Sequence, residues 1–366
     1  MQHARIKAID FDPANILLIQ LGDVGDVVLT APTIRAVKES HPDACVSVLV
    51  TKPYGSLLAA DPNLFEAVEI ARKRGPLLQR LREMLAFARL LRRNRYTLVI
   101  DLRTGDRGAI ASFLTGAPMR VGYHRGEKDR FWHQIAFTHI LRKLTPAGLP
   151  VHPGADQCLR IVRELGIDTK DSIPKLHISL GDLSRTRSLL ADAGIPPGGR
   201  VVSSNPYSRW KYKEWSDDKW GEVFDRIWEN YQLPTVLIGS AAEADACGKI
   251  AAGREGRVIN LAGRTTLGEL AAVISLSSLH MGVDSAAPHI AAATGTPTVT
   301  IHGPSDWRAW RIADEMHKIV SPAMDCLPCN KTGCDGNGIS QCLESLEVAP
   351  VQDAALELLS RLPRPA

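Results

Sequence analysis

The sequence has no apolar run of the ~18 residues that a membrane-spanning helix needs. Residues 1 to 13 hold no apolar core before a cleavage site, so no secretory signal is read there and the expected location is the cytoplasm. H-E-x-x-H, G-x-S-x-G and an ordered Ser-His-Asp set are missing, which argues against zinc peptidases and triad hydrolases. A G-x-G-x-x-G fingerprint is missing as well, which disfavours a dinucleotide dehydrogenase. The most basic stretch, residues 72 to 95, has no interleaved stacking aromatics, so nucleic acid is a poor partner.

The 366 residues fit two domains of about 150–200 each. Apolar content of 45% and charged content of 23% suit a protein with real cores. The net charge of +4 is mild but uneven. Arg72, Lys73, Arg74, Arg80, Arg82, Arg89, Arg92, Arg93 and Arg95 face only Glu83. Leu77, Leu81, Met84, Leu85, Ala88 and Leu91 recur at helical spacing in the same stretch, which predicts an amphipathic helix with a basic face. That face is either simply solvated or attracted to an anionic acceptor or anionic lipid headgroups.

Strand and helix patterns alternate along the chain, the signature of a doubly wound α/β layout. Ile16–Gln20, Cys45–Val50 and Thr97–Asp101 read as strands of a first series, with a helix from Val27 to Lys38. Val201–Asn205, Pro234–Gly239, Val258–Leu261, Leu279–Val283 and Thr298–His302 read as a second, parallel series. Turn residues place a hinge near 176–198, giving domains of 1–178 and 179–350. A final helix within 351–366 is expected to pack back on the first domain. Two such sheets would put a ligand cleft beyond the carboxyl ends of their strands.

The segment from Met281 to Ala293 reads as a buried strand, a turn with Asp284 and Ser285, and a helix of small residues. Unpaired N–H groups at such a helix start suit a phosphate, and Ser285, Ala286 and Ala287 leave room for it. No Walker lysine follows, so the balancing charge must come from elsewhere. The loop Ser208-Arg209-Trp210-Lys211-Tyr212-Lys213-Glu214-Trp215 offers it: Arg209 or Lys213 can clamp a phosphate. The plainer reading is that its tryptophans plug the domain and its cations are solvated.

Gly22-Asp23-Val24-Gly25-Asp26-Val27 puts two carboxylates where a pyrophosphate would otherwise sit. Asp26 is either the cap of the following helix or a general base for a hydroxyl. Glu243, in Gly239-Ser240-Ala241-Ala242-Glu243, is either a helix-entry acid or a ribose ligand. His289 is either a satisfied core histidine or a phosphate contact. Cys326, Cys329, Cys334 and Cys342 form C-x2-C-x4-C-x7-C, a weak match to a structural zinc site.

Taken together, Gly25-Asp26-Val27, Ser208-Arg209-Trp210 with Lys213 and Trp215, Gly239 to Glu243, and Gly282-Val283-Asp284-Ser285 with His289 resemble the ADP-heptose:lipopolysaccharide heptosyltransferases, glycosyltransferase family 9. Asp101-Leu102-Arg103 through Gly122-Tyr123 and His302-Gly303-Pro304-Ser305 resemble it too, and Trp307 and Trp310 lean towards the heptosyltransferase III type. The resemblance implies a GT-B fold of two Rossmann-like domains. It implies inverting transfer of heptose from ADP-heptose to the lipopolysaccharide inner core, with no cofactor and no metal required. Asp26 would be the base, acting from across the cleft; Lys213 would neutralise the leaving pyrophosphate. Glu243 would bind the ribose, Asp284 the donor sugar, and Ser285 to Ala287 the phosphate. Arg103, Arg107, Arg120 and Arg125 would meet the anionic acceptor, with peripheral contact to the inner face of the membrane. Ala286 departs from the glycine common in relatives, which matters only if that position needs a positive φ. A nucleotide-sugar epimerase of the same fold, needing no acceptor, and a catalytically silent membrane-surface protein are the competing readings.

Overall fold

A computed structural model describes residues 13–71, 76–124, 131–141, 153–309 and 314–361. Contacts divide the chain into two units, 1–177 and 178–366. In the first unit the order is β1 (Asn15–Gln20), α1 (Val24–Val28), α2 (Ala31–Ser40), β2 (Cys45–Thr51), β3 (Glu66–Ile70), α3 (Leu77–Arg93), β4 (Leu98–Asp101), α4 (Asp106–Thr115), β5 (Met119–Tyr123), α5 (Phe131–Ala136), β6 (His139–Leu141) and α6 (Pro153–Arg163). In the second it is α7 (Leu180–Asp192), β7 (Val202–Asn205), α8 (Asp217–Tyr231), β8 (Thr235–Leu237), α9 (Ala244–Ala251), β9 (Val258–Asn260), α10 (Leu267–Ser275), β10 (Leu279–Val283), α11 (Ala287–Ala293), β11 (Thr298–Ile301), β12 (His317–Val320), α12 (Gln341–Ser345) and α13 (Ala349–Ser360).

Both sheets are six-stranded, with orders β3-β2-β1-β4-β5-β6 and β12-β11-β10-β7-β8-β9. Every pairing is parallel. The central strands read as unbroken apolar runs because helices cover both faces. Ile16 to Ile19 are fully buried, as are Leu279, Met281 and Val283. In each sheet the strand order reverses at one place: β1 beside β4, and β7 beside β10. Loops leaving the carboxyl ends of such a pair diverge and leave a crevice, so a ligand site is expected there in each unit.

Several elements differ from the sequence reading. The helix expected from Val27 begins at Val24 and breaks after Val28; Pro32 opens α2 instead. The expected hinge region contains α7, whose start is capped by Ser179 Oγ accepting from the Asp182 N–H at 3.0 Å. The terminal helix joins the second unit rather than the first: Val351, Ala355, Leu358 and Leu359 of α13 lie in one apolar core with Trp220, Phe224, Met281 and Val299. Periodicity shows that a helix has an apolar face but not which core receives it. On α3, Leu91 is buried while Met84 and Leu85 are exposed, so part of the expected apolar stripe faces water. Arg125 and Trp310 lie outside the described residues.

Candidate active site

In the first unit, the loops after β1 and β4 bring Asp26 and Arg103 together. Asp26 is not the N-cap of its helix but its third residue; Asp23 takes the cap position. Its Oδ2 accepts the Asp23 N–H at 2.9 Å, and its Oδ1 accepts from Arg103 Nη1 at 2.6 Å. The carboxylate folds back over Gly22, where an added Cβ would fall 2.3 Å from Oδ2. Each oxygen retains a lone pair beyond these bonds, so the fixed carboxylate can still accept a substrate hydroxyl.

The other expected acceptor cations divide. Arg107 is exposed on α4. Arg120 is spent within the fold: its guanidinium donates to the carbonyls of Ala136 at 2.7 Å, Ala117 at 2.5 Å and Ile135 at 3.5 Å. Burial also lowers its pKa. These bonds make it a brace between β5 and α5.

In the second unit, the loops after β7 and β10 bring Lys213 and Asp284 together. Lys213 closes a short 3-10 turn, Lys211–Lys213, and its Nζ donates to Asp284 Oδ2 at 2.6 Å. Ser305, from the loop after β11, donates its hydroxyl to the same oxygen. Burial alone would push the Asp284 carboxyl up, yet His302, Lys213 and Ser305 hold it below the usual carboxylate range. His302 attracts it only when protonated, and burial drops His302 to about 4, so near neutral pH Lys213 and Ser305 do the holding. Ser285 Oγ donates to Asn205 Oδ1 at 3.0 Å, which ties the turn after β10 to the end of β7.

Ala286 has φ −77° and ψ −27°. That is right-handed helical geometry, so alanine is unstrained there. Ala287 starts the seven-residue α11, and His289 lines a small cavity with Asp284, Ser285, Thr300 and His302. Glu243 Oε2 accepts the Ser240 N–H at 2.6 Å, closing a reciprocal capping box, so one oxygen serves the helix start. Arg209 is exposed, its guanidinium 5.1 Å from the Trp210 ring centre. The tryptophans divide as well: Trp210 is exposed, whereas Trp215 is buried and donates Nε1–H to the Leu346 carbonyl at 3.1 Å.

Cys326, Cys329, Cys334 and Cys342, a weak match to a zinc site in the sequence, do not form a metal-binding group. Among the described residues no three His, Cys, Asp or Glu side chains are grouped to hold a metal ion. Cys342 is buried in the core with Leu343 and Leu346, while Cys326 is exposed. The sequence reading gave no role to Asn205, and noted His302 and Ser305 only within a segment that resembles the family. Their signal was positional: Asn205 ends β7, and the other two follow β11.

Residues 84–339 match the family model for glycosyltransferase family 9 (heptosyltransferase). The chain belongs to that family. Its members transfer glycosyl groups, and the heptosyltransferase family name sets aside the epimerase reading. A curated relative, lipopolysaccharide heptosyltransferase 3 of Escherichia coli, is 29% identical over 295 residues, covering 78% of this chain and 83% of its own. The fold matches a family 9 glycosyltransferase from Veillonella parvula with TM-score 0.81 at 20% identity, covering 97% and 99% of the two chains. It also matches E. coli ADP-heptose lps heptosyltransferase II with TM-score 0.75 at 21% identity, covering 95% and 99%. These likenesses give the heptosyltransferase its GT-B fold.

Proposed function

We propose that this heptosyltransferase moves heptose from ADP-heptose to a hydroxyl of the lipopolysaccharide inner core, with inversion, without a metal, and with Asp26 as general base. The observation that carries the donor half is the Lys213–Asp284 pair at the β7/β10 reversal. Displacement at an anomeric carbon builds negative charge on the departing diphosphate. A preset ammonium in a partly dry site stabilises that charge best where it develops. Lys213 supplies the positive charge for which other transferases use a metal ion. When donor binds, Lys213 exchanges a carboxylate for a phosphate, and Asp284 turns to the sugar hydroxyls. The ADP-heptose named for the E. coli relative is the natural donor for such a site.

The acceptor half rests on Asp26. Its two fixed hydrogen bonds orient a carboxylate lone pair, and orientation of a base toward its hydroxyl removes part of the entropic barrier. Arg103 and Arg107 are the described cations placed to meet an anionic core sugar. The protein also touches the anionic inner membrane surface through α3 and α4, which pack beside each other. Arg82, Leu85, Arg89 and Arg93 are exposed on α3, and Arg107, Ile110 and Phe113 on α4. Cations interleaved with exposed apolar side chains complement a negatively charged lipid interface. Conversion of heptose-deficient lipopolysaccharide by ADP-heptose, followed by the anomeric configuration of the product, tests the reading. A retained configuration contradicts the single-displacement role of Asp26.

A further inference from the structure

Asp101 is a buried carboxylate at the last position of β4, one residue before Leu102 and two before Arg103. Its Oδ1 accepts two backbone N–H groups, from Arg103 at 3.1 Å and Thr104 at 2.9 Å. Thr104 Oγ1 donates to the Asp101 carbonyl at 3.2 Å and accepts the Tyr123 N–H of β5 at 2.8 Å. Thr104 sits at φ +49°, a left-handed conformation that a threonine adopts only when its surroundings impose it. Gly108 of α4 closes the other side: a Cβ there would lie 2.0 Å from Asp101 Oδ2. The carboxylate is thus walled in by its own loop and by α4, and its single well-bonded oxygen sets the backbone from which the Arg103 side chain leaves.

We infer that Asp101 is a positioning residue for transfer: it fixes the Arg103 backbone so that the guanidinium holds Asp26 in its working orientation. The chain of contacts is continuous, from Asp101 Oδ1 to the Arg103 N–H, and from Arg103 Nη1 to Asp26 Oδ1 at 2.6 Å. The inference rests on Asp26 being the base. Burial raises the Asp101 carboxyl to about 7, against the pull of the Thr104 and Arg103 N–H groups and the Arg103 charge. Burial makes this a costly place for a charge, whereas the two N–H groups need an acceptor oxygen there. The role assigned is one of geometry, and an amide oxygen at the same place fulfils it.

The test is a set of enzymes carrying Asp101→Ala, Asp101→Asn, Arg103→Ala, Asp101→Ala with Arg103→Ala, and Asp26→Ala. Each is assayed with ADP-heptose and heptose-deficient lipopolysaccharide, per mole of folded protein. Asp101→Ala is expected to lower kcat by about 10²-fold, the scale of a catalytic group misplaced by about an ångström, with the donor KM unchanged. Asp101→Asn is expected to restore most of kcat. In the Arg103→Ala background, Asp101→Ala is expected to add nothing further, because its effect passes through Arg103. Losses that multiply in the double variant, or an unchanged kcat in Asp101→Ala, overturn the inference. Where Asp101→Ala does not fold, Asp101→Ser, whose hydroxyl is too short to reach both N–H groups, takes its place in the same comparison. Transfer retained by Asp26→Ala overturns the base reading itself. Transfer abolished by Asp26→Ala but untouched by Asp101→Ala overturns only the positioning role.

Discussion

Lys213 Nζ lies 2.6 Å from Asp284 Oδ2, although the two residues are 71 positions apart and leave different strands. The parallel order β10-β7 places their loops side by side. Each neutralises the other, so neither of these two mostly buried groups is a charge without a partner. A diphosphate that replaces the carboxylate on Lys213 gains a charge-assisted hydrogen bond at little desolvation cost.

Lys213→Ala is therefore expected to weaken ADP binding by roughly 10- to 100-fold, the value of a hydrogen bond to a charged group. Thermal melting at fixed ADP reads this as a smaller rise in Tm than the wild type shows. An ADP affinity equal to the wild type's removes Lys213 from the donor site. Asp284→Asn should spare ADP affinity and lower kcat, since the sugar contact is lost while the ammonium remains.

For Asp26→Ala, transfer is expected to fall by about 10²–10⁴-fold, the usual contribution of a general base. ADP should bind nearly as before, because Lys213 and Asp284 belong to the other unit. Lost ADP binding with residual transfer contradicts the assignment.

Acid should destabilise the second unit through His280. This histidine is fully buried in β10, its Nδ1 lies 3.0 Å from Ser203 Oγ, and its Nε2 has no hydrogen-bond partner. Burial lowers it from 6.5 to about 3. The unfolded chain therefore binds a proton that the folded chain does not between those values, and stability falls as pH drops through that window. The contribution reaches about 2 kcal/mol at pH 5 for one such group. His280→Gln is expected to flatten the decline of Tm between pH 7 and pH 4; an unchanged slope contradicts it.

Ile110→Asp with Phe113→Asp should reduce sedimentation with vesicles containing anionic phosphatidylglycerol, and salt should reduce that of the parent protein. Equal binding to neutral phosphatidylcholine vesicles argues against the lipid-facing role of α3 and α4.

Most interior strands were legible because buried parallel strands are short apolar runs ending in Gly or Asp: Ile16–Gln20 before Gly22 and Leu279–Val283 before Asp284. Interior β5 and the edge strands β3, β6 and β12 were not: Arg120 and Gly122 interrupt the short run of β5, and Glu66, His139 and His317 begin runs without clear alternation. Residue types at strand ends pointed to Asp26, Lys213 and Asp284, but not to how they pair. Asp26 with Arg103 and Lys213 with Asp284 meet only because β1 neighbours β4 and β7 neighbours β10, and strand order is invisible to local patterning. The same limit explains Arg120. Its charge resembled that of Arg103, yet three backbone carbonyls, two of them closing α5, take its donors. In Asp23-x-x-Asp26 a reciprocal cap was written in the sequence, but either aspartate reads as the first residue until the helix start is known.

The most direct measurement is heptose transfer itself: ADP-heptose and heptose-deficient lipopolysaccharide incubated with the wild type and with Asp26→Ala, the acceptor then weighed by mass spectrometry. The wild type should add one heptose and release ADP, while Asp26→Ala, with ADP affinity intact, should leave the acceptor mass unchanged. Equal heptose addition by the two proteins, or none by the wild type, would contradict the proposal.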